Sequence, residues 1–383
     1  MQLDPAQLRQ KFDPIFQDNF ERRGELGAAV SVCQEGKPIL ELHGGFRDAK
    51  REQPWDAETL VLVWSVTKGI GSACLLHALQ ENDVSLTRKV SEFWPEFGQN
   101  GKSDIQIGTV MSHEAGLCAL NTAVDILDYP AVINALERQT PLWPPGSAHG
   151  YHARTFGFLI DELTRRLTDM TVSDYWRKYL AEPMRLEFWI GLPNELNDRV
   201  ATTYAAKAGG TPDPPEFYRN LVTRGTLQSR VFNSPAGLNS ISAMNKPEIR
   251  AQPFVSFGGI GSATALAKFY CMLASDGVMD GRRYFRSATI TQMTTALADG
   301  VDVVFEIPIA FSAGFMKDSR TTSRPIFGPD PSCFGHPGAG GAHAFADPAS
   351  GIGFAYVMNQ MEQSVLPNDK SLRLVHAMYG VNK

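Results

Sequence analysis

The sequence predicts an α+β fold: one antiparallel sheet built from both ends of the chain, flanked by helices, with a mostly helical domain inserted between them. Three observations predict it. Two apolar, β-favouring runs stand near the N-terminus on either side of Gln34-Glu35-Gly36-Lys37. Strand-like runs return in the final third as AFSAGFM, AHAFADP and GIGFAYVMN. Between these ends, helical periodicity alternates with Pro- and Gly-rich loops.

Each element follows in order. Residues 1–23 place Leu8, Phe12, Ile15, Phe16 and Phe20 at helical spacing, which predicts an amphipathic helix. The stretch LGAAVSVCQEGKPILELHGGFRD then reads as a β-hairpin turning at Glu35-Gly36. Residues 66–82 form a helix rich in Gly and Ala, ending near Asn82-Asp83, and its small residues suit the protein centre. From about 85 to 250, helical segments such as FGFLIDELTRRL and VSDYWRKYLAEPM are separated by loops. AGGTPDPPEF (208–217) and much of 225–250 read as long surface loops. Helices are expected again at 262–275, 287–297 and about 368–379. The organisation predicted is a discontinuous sheet domain (1–82 and 255–383) and a helical, loop-rich domain (83–254). A cleft forms most easily at their junction.

Composition narrows the function. The 383 residues are 43% hydrophobic and 20% charged, a globular composition with material for a sizeable core. A formal net charge of −5 gives no electrostatic case for nucleic acid or an anionic membrane as partner. The N-terminal text MQLDPAQLRQKFDPIF lacks a basic segment followed by an apolar run, so no signal peptide is expected. No apolar run reaches the ~18 residues of a membrane span. Cys33, Cys74, Cys118, Cys271 and Cys333 are odd in number, dispersed and free of CxxC pairs. Reduced, mostly buried thiols in a cytoplasmic protein follow, with no metal site.

The chemistry centres on Ser65-Val66-Thr67-Lys68 at the start of the small-residue helix. Positions i and i+3 share a helical face, so the Ser hydroxyl and Lys amine can meet. Serine is a weak nucleophile and needs a base or cation beside it, and a desolvated lysine can serve. Alone the tetrapeptide carries little, since a chain of this composition holds about one such match by chance. Its surroundings carry more. TLVLVWSVTKGIGSACLLHAL keeps Ser65 and Lys68 from bulk water. TVMSHEAGL, PLWPPGSAHGYHARTFGFLIDELTRRL, FGHPGAGGAHAFADP and IGFAYVMNQM then follow in order.

With these landmarks the chain resembles the serine β-lactamase and penicillin-binding-protein superfamily, in particular class C β-lactamases and family VIII carboxylesterases, from about residue 20 to its end. The resemblance implies a β-lactamase-like fold and an acyl-enzyme on Ser65, with Lys68 beside it and no metal or organic cofactor. Tyr151 takes the place of the tyrosine of the family's Tyr-x-Asn element. Lys68, as an ammonium, is expected to lower the phenol from its free value of about 10 towards a usable base. His336-Pro337-Gly338 takes the place of the Lys-Thr-Gly strand, and the backbone N–H groups of Ser65 and Ala339 form the oxyanion hole. Glycines at 338, 340 and 341 let the backbone pass close to substrate.

Two departures bear on substrate. Ala153 stands where the family has an asparagine that holds the drug's amide, and His336 stands where it has a carboxylate-binding lysine. Both changes weaken the grip on a β-lactam and spare attack on a neutral ester. The expectation is therefore a carboxylesterase with weak or no β-lactamase activity, acting on a small-molecule ester. His336, Gly338, Trp143 and Ala153 are candidate substrate contacts, and Trp64, Trp143 and Trp189 are candidate walls of an acyl pocket. A peptidase or amidase on D-amino-acid peptides, an acyltransferase, or a catalytically silent scaffold are the alternatives. Homo-oligomerisation is left open. His113-Glu114 begins HEAGL rather than a zinc motif and is expected to be structural, no GxSxG is present, and His43 reads as a surface residue.

Overall fold

Asp4 starts the first helix, α1 (Pro5–Glu21): its carboxylate accepts the Gln7 N–H at 2.8 Å, and Pro5 takes the first helical position. The computed structural model describes residues 1–207 and 213–381. Leu8, Phe12 and Phe16 form the buried face of α1. Strands β1 (Gly27–Gln34) and β2 (Lys37–Gly45) follow as the predicted hairpin, with Glu35 and Gly36 both at positive φ, as a two-residue turn of this hand requires. A short strand, β3 (Val61–Leu62), precedes the central helix α2 (Thr67–Glu81), which is buried along almost its whole length.

The insertion contributes α3 (Ile107–Met111), α4 (Tyr129–Arg138), α5 (Thr155–Thr168) and α6 (Val172–Tyr175), the last continuing as a π-helical turn to Ala181. Strand β4 (Phe188–Ile190) comes next. The expected loop at 208–217 lies outside the described residues up to 212, and from Pro215 it is helix, α7 (Pro215–Val222). The expected loop at 225–250 is also corrected. It holds α8 (Leu227–Phe232), a 3₁₀ turn at Ile241–Asn245 and α9 (Pro247–Arg250). Side-chain caps explain the difference: Thr226 accepts the Ser229 N–H and Ser240 accepts the Ala243 N–H, so residues that read as loop instead start helical turns.

Strand β5 (Gly259–Gly261) leads into α10 (Ala263–Ala274), capped by Ser262. After it come β6 (Val278–Met279), β7 (Arg282–Arg283), α11 (Ser287–Thr294), β8 (Ala298–Val301), β9 (Pro308–Phe311), β10 (Met316–Lys317), β11 (Phe334–Pro337), β12 (His343–Asp347), β13 (Ile352–Met358) and α12 (Asp369–Tyr379). The run AFSAGFM is two strands rather than one, split at Gly314, where φ is +81°. Helix α11 is shorter than expected, because Leu297 donates to Phe311 O and enters the sheet.

The main sheet has eight strands, all antiparallel, in the order β2-β1-β13-β12-β11-β10-β9-β8. Its centre joins the two ends of the chain: β1 pairs with β13 from Ala28↔Met358 to Gln34↔Ile352. Helix α10 packs across β1, β12 and β13. Gly353 permits this contact, since a Cβ there would lie 2.1 Å from Ala267 O. A second sheet, β3-β5-β4, escaped the sequence analysis because its strands are two or three residues long. Among the described residues no helix is long and apolar enough to cross a membrane.

A buried polar network ties the terminal helices to the sheet. Tyr356 donates to Glu25 at 2.7 Å, Lys370 lies 3.3 Å from Glu25 and 2.9 Å from Glu362, and Asn19 donates to Lys370 O. Removing one partner of such a pair leaves the other charge buried and unpaired. Lys370→Met is expected to lose about 3–5 kcal/mol in urea unfolding. The double change Glu25→Leu with Lys370→Met should recover most of that loss, and a single change costing under about 1 kcal/mol would show that the pair is not the clasp described here.

Candidate active site

The segment before Ser65 is held along β5. Val61 pairs with Gly261 and Leu62 with Ile260, and Val63 N–H donates to Gly259 O at 2.9 Å. Trp64 then takes φ +51°, a left-handed conformation costly for a bulky residue, and Trp64–Val66 form a single 3₁₀ turn before α2. Thr67 locks the turn, donating to Trp64 O and accepting Gly259 N–H. Ser65 is thus half-buried on the turn leading into α2, with Lys68 three residues on and fully buried.

Lys68 Nζ lies 3.4 Å from Ser65 Oγ and donates to Ala153 O and Ser256 O, each at 2.9 Å. No carboxylate pairs with it among the described residues. Burial therefore pushes its pKa well below the usual lysine value. Its Nζ also sits 4.7 Å from the centre of the Tyr151 ring. The expectation that Lys68 would lower the Tyr151 phenol is corrected: burial, the larger effect, raises it above its ordinary value, and contact with Ser65 only partly offsets this. Burial acts on both groups in the same sense, against the ammonium of Lys68 and against the phenolate of Tyr151.

Residues 150–154 are fixed by neighbours remote in sequence. His113, at φ +62°, accepts the His152 N–H on Nδ1 at 3.1 Å, and its carbonyl accepts the Gly150 N–H. His152 donates from Nδ1 to Gly150 O and accepts the Leu117 N–H on Nε2. Ser256 donates to Arg154 O and accepts the Gly157 N–H. The HEAGL stretch thus holds backbone, as expected. Phe305 stacks on Tyr151 at 4.8 Å, and beneath it the fully buried Asp302 carboxylate accepts the N–H groups of Val304 and Phe305 at 2.8 Å. The backbone N–H of Tyr151 also faces this carboxylate, yet burial outweighs all three and raises Asp302 to about 7.

The strand candidates divide. His336 is buried against Tyr151, with ring centroids 5.9 Å apart. It donates from Nδ1 to Pro337 O, and burial, with Lys68 second, lowers its pKa to about 3. It is a neutral imidazole behind Tyr151 and does not line the cavity at Ser65. Gly338 lies against β3's exit, where a Cβ would meet Val63 O at 2.3 Å, so only glycine lets this strand approach. The following turn is pinned by Gly340 N–H to Ser364 O and Gly338 N–H to Ala342 O, and it presents Ala339 beside Ser65.

Ser65 opens into a cavity of about 370 Å³. Trp64, Ala153, Arg154 and Ala339 line it with Ser65, and Tyr218 and Leu221 of α7, Phe232 of α8, Leu238, Ile241 and Met244 make a mostly apolar wall. Trp143 is not part of it: the indole packs on Gly150 and His152, behind Tyr151. Trp189 is not either, lying on β4 under the Arg177 guanidinium. Arg154 and Asp302 were missed by the sequence analysis. Arg154 directly follows the Tyr-x-Ala element, a signal that was present. Asp302 had none, since only the pairing of Val303 N–H with His149 O brings it near Tyr151. Among the described residues no group of three or more His, Cys, Asp or Glu side chains could hold a metal ion.

The chain is similar to known proteins over most of its length. The beta-lactamase family model matches residues 12–377. The esterase/beta-lactamase LipL of Mycobacterium tuberculosis is 28% identical over 367 residues, covering 92% of this chain and 82% of its own length. A penicillin-binding protein homologue from Caulobacter crescentus superposes with a TM-score of 0.87 at 32% identity, covering 100% of this chain and 99% of the other. A family VIII carboxylesterase superposes with a TM-score of 0.85 at 29% identity, covering 98% of each chain.

The Asp302 carboxyl has a measurable signature. Its folded value of about 7 lies above the unfolded value near 3.8, so folding favours the protonated form. That contribution is present in full below pH ~4 and is lost as pH rises through about 7. Asp302→Asn keeps an acceptor and removes the charge. Its melting temperature relative to the wild type should therefore rise between pH 5 and pH 8; a gap that does not change with pH would mean the carboxylate is fully compensated.

Proposed function

This chain belongs to the beta-lactamase family and is a serine hydrolase of that fold, and from this premise we propose that it cleaves carboxylic esters through an acyl-enzyme on Ser65. The observation that carries the proposal is the desolvated Lys68 amine, 3.4 Å from Ser65 Oγ with no carboxylate paired to it among the described residues. Lys68 takes the Ser65 proton as the hydroxyl attacks the ester carbonyl. The carbonyl oxygen becomes an oxyanion held by the N–H groups of Ser65 and Ala339. As the tetrahedral intermediate collapses, Tyr151 protonates the leaving alcohol and recovers its proton from Lys68. Water then repeats the cycle on the acyl-enzyme and releases the acid. Tyr151 thus acts as a proton donor in the first half, the role a raised phenol fits and a phenolate does not.

Ester preference rests on Ala153 and His336. The alanine lines the cavity without an amide to meet a β-lactam side chain, and the imidazole is neutral and set behind Tyr151. The apolar wall of α7 and α8 suits a hydrocarbon acyl or alcohol group. The five cysteines are free and buried, which supports a reducing, cytoplasmic setting.

A p-nitrophenyl ester series from C2 to C8, assayed beside nitrocefin, tests the proposal. The esters should give a nitrophenol burst and an acyl adduct by intact mass, both absent in Ser65→Ala, with kcat lower by about 10⁴-fold or more. A higher kcat/KM for nitrocefin than for p-nitrophenyl butyrate would reverse the ranking, and turnover surviving in Ser65→Ala would remove the nucleophile.

A further inference from the structure

The cavity at Ser65 contains a charge that no group among the described residues pairs with. Among its described lining residues Arg154 is the one charged side chain, and the rest is apolar apart from Ser65, the Tyr218 hydroxyl, Asn233, Asn239 and Ser240. Arg154 is half-buried and forms no ion pair among the described residues. Its Nη1 donates to two carbonyls, Pro235 O and Gly237 O, each at 2.8 Å, while Nε and Nη2 have no acceptor among the described residues. Burial alone acts on it, lowering it to about 10, so the guanidinium stays charged at neutral pH. A cation held in an apolar cavity without a counter-ion is costly unless the bound ligand supplies one, and a guanidinium fork matches a carboxylate.

We propose that Arg154 is a carboxylate-binding group of this cavity, so that its preferred substrates are esters bearing an anionic group on an otherwise apolar skeleton; this rests on the ester-hydrolase reading above. The anion-binding role that the sequence denies to position 336 is then met from the start of α5. A carboxylate at Arg154 does not replace the amide contact missing at Ala153, so the preference is for anionic esters rather than β-lactams.

Two matched pairs test it. With the anion on the acyl side, mono-p-nitrophenyl glutarate is compared with its methyl ester. With the anion on the alcohol side, 4-butyryloxybenzoate is compared with 4-butyryloxybenzamide. In the wild type the anionic member of one pair should lead by about tenfold or more in kcat/KM, mostly through KM, as a charge-assisted hydrogen bond implies. Arg154→Gln should abolish the preference, slowing the anionic members far more than the neutral ones, and Arg154→Lys should restore part of it. Equal rates within both pairs would overturn the proposal. So would a variant that slows anionic and neutral esters alike, which would make Arg154 only a clamp on residues 235–237. Calorimetry of the same four compounds with Ser65→Ala protein separates this proposal from the catalytic one. If the wild type turns over none of them, Arg154-dependent binding of an anionic member still supports the carboxylate site while the ester-hydrolase reading falls, and no such binding overturns both.

Discussion

Lys68 donates to the carbonyls of Ala153 and Ser256, and these two hydrogen bonds, at 2.9 Å each, reach from α2 to the start of α5 and to the segment before β5. They hold an amine that has given up its hydration without gaining a carboxylate. A buried lysine in that position is destabilised as an ammonium, and its shift is the source of whatever basicity Ser65 can use. The positions of Tyr151 and Ser65 follow from the same anchoring, because Ala153 O belongs to the segment that carries Tyr151 and Ser65 stands one turn before Lys68.

That arrangement needs rigid surroundings, and the two sheets supply them. The small sheet β3-β5-β4 fixes the strand that runs into Ser65, and β5 also delivers Gly259, whose backbone meets both Val63 and Thr67. The large sheet brings β11 and the Gly338 turn against Val63 O from the other direction. Trp64 is held in a left-handed conformation between them. Strain of this kind persists only where the neighbours over-determine the backbone, and here both sheets do so.

Unpaired ionisable groups recur in this part of the molecule. Lys68, Asp302 and Arg154 all lie within or beside the site, and none of the three has an ion-pair partner among the described residues. By contrast, the buried charges that clasp the termini, Glu25 and Lys370, are paired with each other. Pairing serves the fold at the periphery. Its absence at the centre leaves groups whose protonation or ligand binding can respond to a substrate.

The sequence by itself determined the sheet from both chain ends, the buried small-residue helix and the meeting of Ser65 with Lys68, because periodicity, turn residues and i, i+3 spacing are local properties of the chain. It also singled out Tyr151 and Ala339 through a resemblance that runs along almost its whole length, and the structure sets both near Ser65. Tertiary structure alone decided the rest. The direction of the Tyr151 shift depends on burial, which no spacing reveals, and it came out opposite to the expectation. Trp143 and Trp189 were candidate walls by residue type, yet packing placed them elsewhere and gave the wall to α7 and α8, short helices in a stretch that reads as loop. Asp302 reaches Tyr151 across about 150 positions only because Val303 pairs with His149. Charge, pocket shape and proton affinity at this site are set by which remote segments exclude water from it, and that information exists only once the chain has folded.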